Sequence, residues 1–191
     1  MTRRILPEKS LLFICDVQDR FRDLIYNFSN VVCISQMLKG FANNMQIPIA
    51  VTEQYPKALG HTVPELEITS KNVGILAEKK VFSMIVPPVE EFLKAHAERN
   101  VAIVVGLEAH VCVQQTVLDL LDRGYEVHLC CDGVSSQRPY DRKIALKRMA
   151  SVGATLTTAE SVMFEIMRSA DHPTFKQNST WVRFPRPDST F

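Results

Sequence analysis

Short apolar runs alternate with amphipathic stretches through most of the chain. Residues 10–16 (SLLFICD) are apolar almost throughout, the pattern of a strand buried on both faces. Residues 31–44 change to helical spacing, with Ile34, Met37, Leu38 and Phe41 along one side. A second strand is predicted over 48–53 (PIAVTE), where the proline suits a strand's first residue. Residues 56–69 hold Gly60, Pro64 and polar side chains and predict a loop or lid. The run KKVFSM at 79–84 predicts a third strand and its exit. Pro87 and Pro88 then open a helix to about residue 98, proline being tolerated in a first turn.

Residues 101–107 (VAIVVGL) carry the clearest strand pattern. The helix after it sets Val113, Val117, Leu120 and Leu121 on one face, and Gly124 stops it. Residues 126–131 (EVHLCC) predict a further strand. Residues 140–152 predict a helix with Ala145, Met149 and Val152 as its stripe, ended by Gly153. A short strand over 154–157 leads into a helix over 159–168, and from residue 171 the periodicity is lost, so the tail is expected to be partly irregular. This alternation implies right-handed strand–helix–strand units. The expected fold is a three-layer α/β/α sandwich around a mostly parallel, six-stranded, doubly wound sheet. With no repeat or linker inside it, the chain of 191 residues is expected to be one domain, its core at about 10–168 and its tail at 171–191.

Composition narrows the function classes. Hydrophobic residues make up 46% and charged residues 23%, the balance of a soluble globular protein. With 22 Lys and Arg against 21 Asp and Glu, the net charge of +1 forces no basic face, so no nucleic-acid partner is expected. No apolar run approaches the roughly 18–20 residues of a membrane helix, so no membrane partner is expected either. The start, MTRRILPEKS, lacks a signal-peptide core. Five cysteines without a CxxC spacing suggest free thiols, and hence the cytoplasm.

Ligands of open parallel sheets collect outside the carboxyl ends of the strands. Asp16, Lys79 and Cys112 all fall near such ends. Cys112 lies about a third of a turn from the centre of its helix's apolar stripe. It also sits in a first turn, where free N–H groups favour a thiolate and can receive an oxyanion. The competing reading is a buried, inert cysteine, which is the rule for Cys15, Cys33, Cys130 and Cys131 inside apolar runs. Asp16 is either a cap on the turn after its strand or a general base. Lys79 is either a solvated lysine beside its competitor Lys80 or the cation that keeps a buried carboxylate ionised.

LLFICDVQDRF around Asp16, KKVFSM from Lys79 and GLEAHVCVQQT around Cys112 resemble the three signature blocks of the isochorismatase-like cysteine hydrolase family. DGVSS at 132–136 resembles a further block, and TEQYPKALG, LDLLDRG and HPTFK look closest to the eukaryotic isochorismatase domain-containing subgroup. The resemblance implies a Cys112 nucleophile, an Asp16 acid/base and a Lys79 electrostatic partner, with lysine chosen over Lys80 by its spacing to Ser83. It further implies an oxyanion hole from the N–H groups of Val111 and Cys112, and a cis peptide at Leu107–Glu108. It also implies a homo-oligomer, dimer or tetramer. Phe175, Trp181 and Phe184 of the tail, or the 56–69 loop, are candidate contacts.

Departures from the family pattern matter as much. Where nicotinamidases carry a metal motif this chain has TEQYP, and His61 stands alone, so no metal and no cofactor are expected. A retained cysteine disfavours vinyl-ether cleavage. The expected activity is hydrolysis of a small-molecule amide, ester or related bond. Pocket candidates are Gln18, Phe21, Tyr55, Phe82, Glu108 and His110, each with packing or surface as its alternative. Two rivals stand beside this reading: a non-catalytic, ligand-sensing protein with a relict pocket, and a ribonuclease, a label some relatives carry.

Overall fold

A computed structural model describes residues 4–183. Its six strands are β1 (Ser10–Cys15), β2 (Ile49–Gln54), β3 (Ile75–Lys79), β4 (Val101–Leu107), β5 (Glu126–Ser135) and β6 (Thr155–Thr157). They pair only in parallel, in the order β3-β2-β1-β4-β5-β6. The chain direction across the sheet therefore reverses between β1 and β4, which is where a doubly wound fold opens a crevice.

The two-residue period of β1 feeds both flanking layers. Leu12 and Ile14 join one core cluster with α1 (Phe28–Asn44) and α6 (Ala159–Met167). Leu11, Phe13 and Cys15 join the other, with α3 (Pro87–Ala95), α4 (Gln114–Asp122) and α5 (Pro139–Ser151). A buried strand of this kind has to be apolar at every position, which is why SLLFIC does not alternate.

Gly106 sets how closely the two central strands approach. It pairs with Cys15 and has φ +118°, and a Cβ there would lie 2.1 Å from the Cys15 carbonyl oxygen. Only glycine fits both demands.

Several elements differ from expectation. The third strand is residues 75–79 rather than 79–84. It is an edge strand with Ala77 and Lys79 turned in and Leu76 and Glu78 turned out, so its apolar signal is weak. The apolar-looking Val81 and Phe82 are instead about half exposed, at 58% and 48%. The fifth strand continues past residue 131 to Ser135, across a register shift opposite Val104–Gly106. In α5 the buried set is Arg142, Ala145 and Met149, and Val152 lies beyond the helix end, exposed. Arg142 supplies what Val152 does not, donating to the backbone carbonyls of Val134 and Cys131.

The tail is more regular than its sequence implies. It forms α7 (Phe175–Val182), whose Phe175, Trp181 and Val182 pack on the α1 layer. A Cβ on Gly40 would meet the Trp181 indole at 2.1 Å, so that glycine makes room for the ring. Phe175 and Trp181 are thus partly buried packing residues rather than a free contact surface, and Phe184 lies outside the described residues. The 56–69 stretch holds α2 (Pro56–Leu59) and a short turn over Pro64–Leu66, and it is pinned by buried Val63 and Leu66. No helix among the described residues is long and apolar enough to cross a membrane.

Candidate active site

Asp16 leaves β1 with φ +50°, an uncommon conformation for a residue with a side chain. Its N–H donates to the Thr52 carbonyl at 3.2 Å, and its carbonyl accepts from Gln18 N–H at 2.9 Å. The carboxylate is engaged at both oxygens. Thr52 Oγ1 donates to Oδ1 at 2.7 Å, and Lys79 Nζ donates to Oδ2 at 2.7 Å.

Lys79 sits at the end of β3, two strands away from β1, and reaches inward. Besides Asp16, its ammonium donates to Gln54 Oε1 at 2.7 Å and to the Phe82 carbonyl at 2.8 Å. Removing two ions from water costs several kcal/mol each, so a buried pair needs such extra partners. Burial pulls the Lys79 pKa down, but the charge of the Asp16 carboxylate and the hydrogen bond to it push the other way, and the net shift is upward. Lys79 therefore stays charged. Lys80 points elsewhere, its ammonium 5.3 Å from the centre of the Tyr55 ring.

Cys112 lies not in the first turn of α4 but in a π-helical turn, Ala109–Val113, just before it. The peptide bond Leu107–Glu108 that leads into this turn is cis. The Glu108 carbonyl accepts from the N–H groups of Val111 at 3.0 Å and Val113 at 3.2 Å, so the Val111 N–H already has a partner within the turn. Thr116 ties the turn down. Its hydroxyl donates to the Cys112 carbonyl at 2.7 Å and accepts from Met84 N–H at 2.9 Å. The Cys112 side chain is nearly buried, 7% exposed, in the core cluster that also holds Ala109, Val113 and Cys15. Burial pushes the Cys15 thiol pKa well up, with Asp16 adding to the shift and Lys79 opposing it. Strands β1 and β3 and the turn after β4 thus bring four polar groups into one cluster.

The remaining candidates divide. Gln18 is buried and spends its side chain on backbone, donating to the carbonyls of Gln54 and Gly60 and accepting from Gln54 N–H. It clamps the 60–62 segment rather than presenting a free amide. Phe21 packs on the α1 layer. Tyr55, with φ +36°, lines a cavity of about 360 Å³ with Pro56, Lys57, Glu78, Lys79 and Lys80. Phe82 is exposed beside Lys79 and contributes its carbonyl. Glu108 accepts from Gln137 N–H at 2.9 Å, and His110 Nδ1 lies 3.0 Å from Ser136 Oγ, so both brace the π turn against the end of β5.

His61 is paired rather than alone. Its Nδ1 lies 3.0 Å from Oε2 of buried Glu53, whose other oxygen accepts from Thr62 N–H at 2.6 Å. Among the described residues no group of three or more His, Cys, Asp or Glu side chains is placed to hold a metal ion.

Thr52, Gln54, Thr116 and Cys15 are the site residues that motif reading passes over. Thr52 and Gln54 carry a usable signal, two polar side chains in alternate positions at the carboxyl end of a buried strand.

The isochorismatase domain family model matches residues 10–161. Isochorismatase family protein 1B of Dictyostelium discoideum is 44% identical over 91% of this chain and 85% of its own length. Isochorismatase domain-containing protein 1 of Danio rerio is 39% identical over 96% of this chain, which spans only 64% of that relative. Among solved structures, the MAR1 ribonuclease of Caenorhabditis elegans superposes with a TM-score of 0.91 at 42% identity, covering 99% of this chain and 97% of the other.

Proposed function

This chain belongs to the isochorismatase domain family, and on that premise we propose that it is a metal-independent cysteine hydrolase of small amide or ester bonds. Cys112 is the nucleophile, Asp16 the acid/base and Lys79 the fixed positive charge. The Asp16 carboxylate takes the thiol proton as the sulfur attacks the substrate carbonyl carbon. It returns that proton to the departing amine or alcohol, leaving a thioester on Cys112. Water then attacks the thioester with Asp16 as base, releasing the carboxylic acid and restoring the thiol. The Cys112 N–H is the oxyanion donor in this reading, with the Val111 N–H shared between the oxyanion and the Glu108 carbonyl.

The observation that carries the reading is the buried Lys79–Asp16 pair beside Cys112 at the crevice between β1 and β4. An ion pair held out of water next to a thiol at that point of the fold is a costly arrangement for structure alone. The test is turnover of a panel of small esters and primary amides by the protein and by Cys112→Ala and Asp16→Asn. Loss of all turnover in both variants supports the assignment, and full turnover in Cys112→Ala contradicts it.

The similarity to a structure described as a ribonuclease supports a second reading, cleavage of RNA. RNA cleavage in metal-free buffer that is lost in Asp16→Ala, without ester or amide turnover, would select it. The reading also includes a cytoplasmic, self-assembling protein. Its described cysteines are free, and Tyr140 and Leu156 are exposed along an apolar groove of about 600 Å³. A monomer in sedimentation would contradict the second point.

A further inference from the structure

Lys79 is held at both ends by backbone groups of aromatic residues. Its ammonium donates to the Phe82 carbonyl at 2.8 Å, and its own carbonyl accepts from Tyr55 N–H at 2.8 Å. Both aromatic side chains are left half exposed, Tyr55 at 44% and Phe82 at 48%. Neither ring stacks on another ring among the described residues. A single exposed apolar side chain needs no explanation, but two rings fixed to one buried, charged lysine are not scattered.

Tyr55 gives a second sign. Its φ of +36° and ψ of +66° are left-handed, a conformation that glycine and asparagine adopt more readily than a bulky aromatic residue. Packing does not ask for this ring, and neither does Lys79, since the bond between the two residues uses only the backbone. Residues held against such a preference cluster at ligand sites. Lys80 stands over the ring, its ammonium 5.3 Å from the centre. Tyr55 and Lys79 also line the cavity of about 360 Å³, within the range of roughly 300–1,000 Å³ that small-molecule pockets occupy.

We propose that Tyr55 and Phe82 are specificity-determining residues that flank Lys79 and select amide or ester substrates carrying an aromatic ring next to the scissile bond. This rests on the reading of Cys112, Asp16 and Lys79 as the catalytic centre. Stacking on an aromatic face holds a flat ring at a defined angle, which an alkyl group of similar area does not achieve.

The test is the ratio of kcat/KM for aryl over alkyl esters. Ethyl phenylacetate and benzyl acetate carry the ring on either side of the ester, and ethyl acetate and ethyl cyclohexylacetate are the alkyl probes. The wild type should turn over one aryl ester about tenfold more efficiently than ethyl acetate, and more efficiently than ethyl cyclohexylacetate. Tyr55→Asn suits the left-handed backbone, and Phe82→Leu keeps an apolar side chain. Each should lower the ratio about three- to tenfold, mainly through KM, the size of one aromatic contact. Tyr55→Phe should keep it. Leu76→Ala, which removes another half-exposed apolar side chain of β3, should leave it unchanged. If Tyr55→Asn is not folded by circular dichroism, Tyr55→Gly replaces it.

A ratio near one in the wild type overturns the inference, as does a ratio that neither ring-deleted variant changes. If turnover is still lost in Cys112→Ala in those cases, the catalytic reading stands and only selection by the rings fails. If no ester or corresponding primary amide is turned over, or if Cys112→Ala acts on them unimpaired, both fall. Ring-deleted variants that dissociate in sedimentation with the ratio intact assign the rings to a contact between copies and also overturn the inference.

Discussion

Asp16 Oδ2 and Lys79 Nζ stand 2.7 Å apart with both side chains out of solvent, joining the end of β1 to the end of the edge strand β3. Removing one partner of such a pair leaves an uncompensated buried charge. Lys79→Met should therefore destabilise the protein by about 3–5 kcal/mol in denaturant unfolding. The double variant with Asp16→Asn should be less destabilised than the sum of the two single variants. Additive losses would mean that the two groups do not act as a pair.

Thr52→Val keeps the shape of the side chain and removes the hydroxyl that donates to Asp16 Oδ1. The expected loss is about 1–3 kcal/mol, the cost of leaving a buried acceptor unsatisfied. Activity should fall without a change in oligomeric state. Equal stability of the variant and the wild type would show that Asp16 finds another donor.

Gly106→Ala should cost more than about 1 kcal/mol, because alanine is strained at φ +118° and its Cβ would strike the Cys15 carbonyl. The clash falls on the strand end that carries Asp16. Alkylation of Cys112 should therefore change along with the unfolding midpoint.

Stability should decline at alkaline pH. Burial raises the pKa of Cys15 and of Cys130 well above the ordinary value, so both stay protonated in the folded protein. The unfolded chain loses these protons from about pH 8.5. Their contribution is complete below that pH and is lost as the pH rises toward the folded-state values. Lys79, also shifted upward, acts in the same direction from its own higher unfolded value. Denaturant midpoints between pH 7 and 10 should fall, and Cys130→Ala should flatten the slope. A slope unchanged by that substitution would contradict the burial argument.

The parts of this protein written as long apolar runs or strict helical spacing are legible from sequence: β1, β4, α1 and α4 fall where the pattern puts them, within a few residues. Edges are not. β3 has only two inward side chains and one neighbour in the sheet, so VFSM, with more apolar character, competes successfully for the strand assignment. α7 is held by Trp181 fitting over Gly40, a contact across the chain that no local period encodes. The site shows the same division. Asp16, Lys79 and Cys112 stand out because charge or sulfur beside a strand end is chemically conspicuous. Thr52 matters only through the carboxylate it touches, and the π turn that carries Cys112 reads from sequence as an ordinary helix start.

In the proposed chemistry Cys112 forms a covalent bond to the acyl group of the substrate. Intact-protein mass spectrometry after rapid acid quench, with a small activated ester as probe, tests it directly. The expected result is a mass increase of one acyl group, mapped to the peptide containing Cys112, that decays with time and is absent from Cys112→Ala. An unmodified wild-type protein under turnover, or an adduct that persists in Cys112→Ala, would contradict it.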